Sequence, residues 1–148
     1  MSASECAVKP FKREYLREVL RIEAECFNPE ERYSRRVFEW YLLLEPIFYI
    51  AECGGEVVGY VLATIQGDTC HVDSIAVREK WRRRGIGAEL LKRALSECRS
   101  RGAKRAVLEV AVDNEPALRL YSKLGFRVKE VIPKYYPSRD AYLMEREL

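Results

Sequence analysis

Three side chains that can move protons stand in or next to apolar segments of this sequence. Glu109 interrupts the apolar run over residues 107–112, and Tyr121 follows it by twelve residues. His71 is the only histidine of the chain. Carboxylates, imidazoles and phenols serve as general bases and acids in enzymes. Because burial of a charge is costly, Glu109 must either be paired or have a chemical role.

Each of these residues also has an ordinary structural explanation. Glu109 can form a structural salt bridge, and a lone histidine such as His71 is often structural or exposed. Tyr121 lies on a helical stripe with Ala117 and Leu124, which is typical of a core. The pattern alone leaves these explanations open beside the catalytic one.

The segment that contains His71 has the pattern of a strand, in which successive side chains point to opposite faces. Alternation therefore places Val72 and Ser74 on the face opposite to His71. Asp73 and Ile75 are predicted to share the face of His71.

A basic turn over residues 82–87 joins this predicted strand to a predicted helix, with the sequence Arg-Arg-Arg-Gly-Ile-Gly. The first N–H groups of a helix are unpaired and carry partial positive charge, so they bind phosphates. Gly85 and Gly87 lack a Cβ, which lets a ligand approach their backbone closely. The turn therefore predicts a pyrophosphate site, and a basic turn capped by glycine is the plain alternative.

Two common phosphate-binding motifs do not fit this turn. The Walker loop requires Gly-x4-Gly-Lys-Ser/Thr, which the sequence lacks. The dinucleotide fingerprint requires a third small residue, and Leu90 stands at that position. The spacing that fits is Arg/Gln-x-x-Gly-x-Gly/Ala after a strand.

The predicted elements indicate an α/β fold with a mixed sheet flanked by helices. A length of 148 residues suits one domain over residues 1–148. Hydrophobic periodicity and turn residues define the element boundaries. Strands are predicted over residues 6–8, 47–53, 56–65, 70–77, 105–112, 126–132 and 141–147. Helices are predicted over residues 12–26, 34–44, 85–101 and 114–124.

Charge and cysteine content bear on partners and compartment. The net charge is only +3, but basic residues are concentrated between 78 and 105. The five cysteines are widely spaced and form no C-x-x-C pair, so we expect free thiols, a reducing compartment and no bound metal. No segment has the pattern of a signal peptide or a transmembrane span, so we expect a cytoplasmic location and no membrane partner.

Four segments together resemble the GCN5-related N-acetyltransferase (GNAT) superfamily. They are the turn over residues 82–87, the segment 107–126, Pro133-Lys134-Tyr135-Tyr136, and Asp140-Ala141-Tyr142-Leu143-Met144. The last two are similar to the RimI-type and Ard1-type branch, which acetylates protein N-termini. The resemblance covers nearly the whole chain and is strongest over residues 49–148.

This resemblance implies the GNAT fold, in which two central strands splay apart and a thioester enters the gap. It implies acetyl-CoA as donor and coenzyme A as product. The backbone of residues 75–77 would pair with the pantetheine arm, and the turn would hold the pyrophosphate. Asn114 would cap its helix and also contact the donor. The implied donor-binding residues are Ile75, Ala76, Val77, Arg82, Arg83, Arg84, Gly85, Ile86, Gly87, Ala88, Asn114 and Tyr121.

The resemblance also implies roles for the proton-transfer residues. Glu109 would be the base, and His71 would share a water with it over the substrate amine. Tyr121 would protonate the departing thiolate. Because no cysteine has a paired base, we expect direct transfer in a ternary complex.

The acceptor side is implied to include Tyr33, Tyr135 and Tyr136, which would pack against the first residues of a peptide. Glu30, beside Glu31, would select among peptides. Ordinary loop tyrosines are the structural alternative. We expect a protein N-terminus as partner, with a ribosomal protein as one candidate, and a monomer or weak oligomer.

Two other functions stay open. An enzyme with the same chemistry can acetylate small amines or lysine side chains. A nucleic-acid-binding module would use the basic residues between 78 and 105, but Trp81 is the only aromatic residue among them. We therefore do not expect nucleic acid as a partner.

Overall fold

The structure, a computed structural model, describes residues 5–148 and confirms the predicted order of elements. The strands of this range are β1 (Cys6–Pro10), β2 (Ile47–Cys53), β3 (Glu56–Gln66), β4 (Thr69–Val77), β5 (Arg105–Ala111), β6 (Arg127–Tyr136) and β7 (Arg139–Glu147). The helices are α1 (Leu16–Cys26), α2 (Arg35–Leu42), α3 (Ile86–Ser100) and α4 (Glu115–Lys123). The last two strands are longer than predicted because they continue to a turn at residues 137–138.

The strands of residues 5–148 form one mixed sheet in the order β1-β2-β3-β4-β5-β7-β6. β4 and β5 run parallel, whereas the other neighbouring strands are antiparallel. The parallel pairing extends only from Thr69, opposite Arg105, to His71, opposite Val107. Beyond this point the two strands part and leave a gap in the sheet. The prediction of splayed central strands is therefore confirmed.

Helices cover both faces of the sheet, each over its own apolar core. α3 packs on one face, where Leu90 and Leu108 are buried. α1 and α2 pack on the other face, where Val19, Phe38 and Tyr60 are buried. Full burial of each large apolar side chain contributes about 1.5–3 kcal/mol to stability. No helix within residues 5–148 is long and apolar enough to cross a bilayer.

A bulge in β4 changes the orientation of the residues that follow His71. Consecutive residues of β3 lie opposite Val72 and Ser74, so Asp73 is an extra residue in β4. The extra residue places Ser74 on the face of His71, where its hydroxyl is hydrogen-bonded to the hydroxyl of Tyr60. It also moves Ile75 to the face that α3 covers. The prediction for Asp73 is confirmed, whereas those for Ser74 and Ile75 are wrong because regular alternation fails at a bulge.

Four cysteines form disulfides, so the expectation of free thiols is wrong. Cys6 of β1 is bonded to Cys53 at the opposite position of β2, and Cys70 of β4 is bonded to Cys98 of α3. Cys26, at the end of α1, is the free cysteine of residues 5–148. The partners are 47 and 28 residues apart in the chain, and packing alone brings them together. The inference of a reducing compartment, which depended on free thiols, loses its basis.

Candidate active site

His71 bridges two carboxylates at the point where β4 and β5 separate. Its Nδ1 lies 2.5 Å from Asp73 Oδ1, and its Nε2 lies 2.6 Å from Glu109 Oε1. His71 is the last residue of β4 that pairs with β5, and Glu109 follows shortly after the last paired residue of β5. The splayed strands therefore present all three groups at the head of the gap.

Asp73 is the most buried member of this group, with 3% of its side chain exposed. Thr64 Oγ1 donates to its Oδ2 at 2.8 Å, and the Tyr41 hydroxyl donates to its Oδ1 at 3.3 Å. The Tyr33 hydroxyl donates to the backbone oxygen of Asp73 at 3.0 Å. Donors from β3, α2 and the α1–α2 loop therefore fix this residue.

Two opposing effects set the charge of His71. Burial lowers the pKa of its imidazole, but the hydrogen bonds and negative charges of Asp73 and Glu109 outweigh burial and raise the pKa to about 10. Both carboxylates therefore favour the protonated form of the ring. The two side chains are in direct contact, and the water that they would share over a substrate amine stays a prediction.

Beyond its pairing with β5, β4 has an edge that pairs with no strand in the described part of the chain. The N–H of Arg78 bonds to β3, which makes its neighbour Val77 a non-hydrogen-bonded position of the β3–β4 ladder. The backbone N–H and C=O of Val77, and of Ile75 two residues earlier, therefore face the gap. Ala76 instead turns its backbone groups to β3, which corrects the prediction that all three residues face a ligand.

The N-terminus of α3 lies close to this edge and is open to an anion. Gly85, the N-cap residue, has a φ of 81°, a left-handed conformation that glycine adopts without strain. No side chain of residues 5–148 caps this helix, and the N–H groups of Ile86, Gly87 and Ala88 precede the first intrahelical bond. Because free N–H groups of this kind bind phosphate, the terminus suits a diphosphate.

The three arginines of the turn differ in their orientation. Arg82 Nε donates to Val77 O at 2.9 Å, so this side chain lies along the free edge of β4. The guanidinium of Arg84 lies over the ring of Trp81, 4.9 Å from its centre. Arg83 is exposed. A phosphate contact by Arg82 therefore requires its side chain to leave the strand.

α4 carries two of the predicted residues. Asn114 Oδ1 accepts the N–H of Ala117 at 3.3 Å, which confirms its role as N-cap. Tyr121 is buried in the α3-side core, where its ring meets Phe126 edge to face at 6.1 Å. Burial raises the pKa of Tyr121, so its phenol stays protonated.

The β6–β7 hairpin brings two tyrosines near Glu109. Lys134 has a left-handed φ of 52°, and its N–H donates to Asp140 Oδ1 at 2.9 Å. The strand bulges at this point, and the rings of Tyr135 and Tyr136 meet edge to face at 4.9 Å. Burial, and then the charge of Glu109, raise the pKa of Tyr135. Tyr135 therefore stays protonated close to Glu109, and the predicted contact of both tyrosines with a peptide stays a prediction.

Glu30 and Glu31 tie the α1–α2 loop to this hairpin. Arg139 Nη2 donates to both carboxylate oxygens of Glu31, at 2.6 and 2.8 Å, and Arg139 Nη1 donates to Asp113 at 2.8 Å. The Ser138 hydroxyl donates to Glu30 Oε1 at 2.8 Å. The structure thus gives Glu30 a bracing contact, and its predicted contact with a peptide stays a prediction.

A second buried carboxylate, Glu23 of α1, contacts residues on the α1–α2 side of the sheet. It accepts hydrogen bonds from the Tyr60 hydroxyl and, at 2.8 Å, from the N–H of Tyr33. The Ser74 hydroxyl lies at 3.4 Å from the same carboxylate. Burial raises the pKa of Glu23, and these hydrogen bonds oppose the rise. Glu23 therefore joins α1, the α1–α2 loop and the β4 bulge.

Comparison with known families matches this arrangement. The model of the acetyltransferase (GNAT) family matches residues 15–126, which include α1 to α4 and both splayed strands. The chain belongs to this family. The predicted family and the predicted fold are thereby confirmed.

Relatives of this GNAT chain include enzymes named for N-terminal acetylation. An N-alpha-acetyltransferase of Sulfurisphaera tokodaii is 41% identical over 118 residues, which cover 70% of this chain and 71% of that protein. A Bacillus subtilis relative, provisionally named ribosomal protein bS18-alanine N-acetyltransferase, is 30% identical over 145 residues and 95% of each chain. Ard1 from Thermoplasma volcanium matches with a TM-score of 0.90 at 29% identity, over 97% of this chain and 98% of that chain.

The GNAT pattern did not indicate four residues of the site, namely Thr64, Tyr41, Asp73 and Arg139. Asp73 had a local signal, because a residue two positions after His71 in a strand shares its face. Arg139 had none, because its partner Glu31 lies 108 residues away in the chain. Thr64 and Tyr41 reach Asp73 from other elements, so only the packed structure identifies them.

Proposed function

We propose that this GNAT chain transfers the acetyl group of acetyl-CoA to the α-amino group of protein N-termini. The observation that carries the proposal is the position of the His71–Glu109 pair, at the head of an unpaired strand edge near the open N-terminus of α3. The names of the relatives support the acceptor class.

Acetyl-CoA supplies an acetyl thioester when it is bound. In this proposal, the gap-facing backbone of Ile75 and Val77 binds its pantetheine arm as an added strand would, and the N-terminus of α3 binds its phosphates. Arg82 moves off the Val77 carbonyl to allow this pairing. In the same proposal, the N–H of Ile75 polarises the acetyl carbonyl.

The proton of the amine leaves through the Glu109–His71 pair. As the nitrogen bonds to the acetyl carbon and the carbon–sulfur bond breaks, one proton passes from nitrogen to this pair and then to solvent. Tyr121 donates its hydroxyl proton to the sulfur and regains one from solvent. Burial raises the pKa of the Cys26 thiol, and the other cysteines are in disulfides, which supports transfer without an acetyl-cysteine.

The chemistry of the acceptor favours an α-amine over a lysine. With a pKa of about 7.7–8.0, roughly one α-amine in ten is neutral at pH 7, whereas a lysine with a pKa of about 10.4 is neutral roughly once in 2,500. The site offers a carboxylate base, which is too weak to deprotonate a lysine efficiently. Tyr33, Tyr135 and Tyr136 line the acceptor side and bind the first residues of the peptide.

A competition assay tests this function. The protein is incubated with acetyl-CoA, peptides with randomised first residues, the same peptides with blocked N-termini and internal lysines, and a polyamine. We expect mass spectrometry to find acetyl groups on free N-termini, and the library reveals whether alanine, as at a ribosomal protein terminus, is preferred. Predominant acetylation of the polyamine or of lysines would instead support a different GNAT acceptor.

A further inference from the structure

We propose that Asp73 is a positioning residue that holds His71 as a fixed cation against Glu109, which leaves Glu109 as the base. The proposal rests on the proposed function, because it divides the roles of two residues of that site. It assigns a role to a residue that the family pattern did not indicate.

The surroundings of Asp73 are those of an ionised carboxylate. Its oxygens accept hydrogen bonds from Thr64 and Tyr41 and face His71 Nδ1. A carboxylate that is almost completely buried needs a partner of opposite charge, because an unpaired buried charge is strongly destabilising. His71 is the cation within hydrogen-bonding distance that the structure places there.

The two ring nitrogens of His71 both face carboxylate oxygens. A neutral imidazole has one N–H and one lone pair, whereas an ionised carboxylate only accepts hydrogen bonds. The contacts with Asp73, at 2.5 Å, and with Glu109, at 2.6 Å, are both hydrogen bonds when both nitrogens carry a proton. Such a ring has no lone pair with which to take a proton from an amine.

The other groups around His71 and Glu109 do not supply a positive charge in place of His71. Tyr41 of α2, Tyr33 of the α1–α2 loop and Tyr135 of β6 have pKa values that burial raises, so they stay neutral. Thr64 of β3 is a neutral donor. Glu23 of α1 lies below the bulge, where it accepts from Tyr33 and Ser74. The negative groups therefore favour a protonated His71.

This arrangement gives His71 and Glu109 different roles. His71 donates to one oxygen of Glu109 and fixes the direction of its carboxylate. The carboxylate of Glu109, which also has the Tyr135 hydroxyl as a neighbour, accepts the proton of the amine directly or through one water. Without the charge of Asp73, the ring loses one of its two negative neighbours and can become neutral or rotate.

Nuclear magnetic resonance of tag-free protein tests the proposal directly, because the single histidine of the chain makes its ring signals unambiguous. We expect the wild-type ring to be protonated on both nitrogens at pH 8. Asp73→Asn keeps the shape of the side chain but removes its charge, and we expect the titration midpoint to fall by at least one pH unit. Thr64→Val, which leaves the carboxylate in place, serves as control and shifts the midpoint less.

Kinetics supply a readout that a merely structural role would not move. We expect Asp73→Asn to lower kcat at least tenfold, to leave the KM for acetyl-CoA within twofold, and to add a pH dependence of kcat at the new midpoint of His71. A wild-type ring that titrates near pH 6.5, or a variant with an unchanged midpoint, would overturn the proposal. If Asp73→Asn fails to fold, the wild-type titration alone decides.

The titration uses no acetyl-CoA, so the two proposals can fail separately. Absence of acetyl transfer to any N-terminus would overturn the proposed function. The titration would still decide whether His71 is a cation. Normal transfer by a wild-type protein with a neutral His71 would overturn only the role of Asp73.

Discussion

Arg139, at the start of β7, donates from Nη2 to both carboxylate oxygens of Glu31, at 2.6 and 2.8 Å. The ion pair joins the α1–α2 loop, which carries Tyr33, to the β6–β7 hairpin, which carries Tyr135 and Tyr136. Only 4% of the Glu31 side chain is exposed. Loss of the arginine would therefore leave a buried carboxylate without its main partner.

We expect Arg139→Ala to lower the free energy of unfolding by about 1.5–3 kcal/mol, the range for hydrogen bonds to charged groups. The KM for a peptide should rise, and the dissociation constant of coenzyme A should stay within twofold. Urea unfolding, peptide kinetics and calorimetry measure these effects. Arg35→Ala removes an exposed ion pair with Glu39 and should cost less than about 1 kcal/mol. Equal losses of unfolding free energy in both variants would show that the Arg139–Glu31 ion pair is no stronger than a surface ion pair.

Glu109→Gln should separate turnover from donor binding. The amide cannot accept the amine proton, so we expect kcat to fall by roughly 10²–10⁴-fold. Calorimetry should find the affinity for acetyl-CoA nearly unchanged, because the proposed donor contacts lie on β4 and α3. Glu130→Gln, on the exposed strand β6, is the matched control and should retain full activity. A variant of Glu109 that loses binding and turnover equally would contradict its role as base.

The stability of the fold should depend on the charge of His71. Its pKa is about 10 in the folded chain, against an ordinary value of 6.5. Because the folded state binds this proton more tightly, the stabilisation is complete below about pH 6.5 and is lost as pH rises through about 10. We expect the wild type to exceed His71→Gln in unfolding free energy by more at pH 6 than at pH 10. Urea titrations of both proteins test this, and a difference that grows with pH would be the opposite sign.

Gly85 and Gly55 provide a matched pair of substitutions. Both have positive φ, 81° and 84°, and an added Cβ meets nothing within 4 Å at either position. Each change to alanine should therefore cost about 1–2 kcal/mol of conformational strain, measured by thermal unfolding. Only Gly85→Ala lies at the N-terminus of α3, so only this variant should weaken coenzyme A binding in calorimetry. Similar affinity in both variants would argue against a phosphate site there.

The disulfides can be counted with a thiol-reactive label. Under denaturing, non-reducing conditions we expect one labelled cysteine, Cys26, and five after reduction. Cys26→Ser should then show no label without reductant. Reduction should lower the free energy of unfolding by about 2–4 kcal/mol for a disulfide that closes a long loop. Five labelled thiols in the unreduced protein would show that the pairs do not form in solution.

Local patterns predicted the elements because their causes are local. Ser34 caps α2 by accepting the N–H of Val37 at 3.3 Å, and Asn114 caps α4 in the same way. The glycine that starts α3 and the acidic residue inside an apolar strand were also visible in the chain. These features depend on neighbours in sequence, so spacing and residue type were enough to place them.

Errors arose where one strand departs from regular alternation or where distant segments meet. The extra residue at Asp73 reverses the faces of Ser74 and Ile75, and no residue type announces such a bulge. In the sequence, Cys70 and Cys98 have the pattern of apolar residues in separate elements. In the structure, the packing of α3 on β4 brings them together as a disulfide.

By itself, the sequence determined the order of strands and helices, the glycine turn before α3, and the carboxylate, imidazole and phenol proposed for proton transfer. Only the tertiary structure decided that His71 lies between Asp73 and Glu109, and that Ile75 and Val77, but not Ala76, face the gap. The physical reason is that these outcomes depend on the register between strands. Register is set by the packing of the whole sheet, and a single bulge changes which side chains and backbone groups meet.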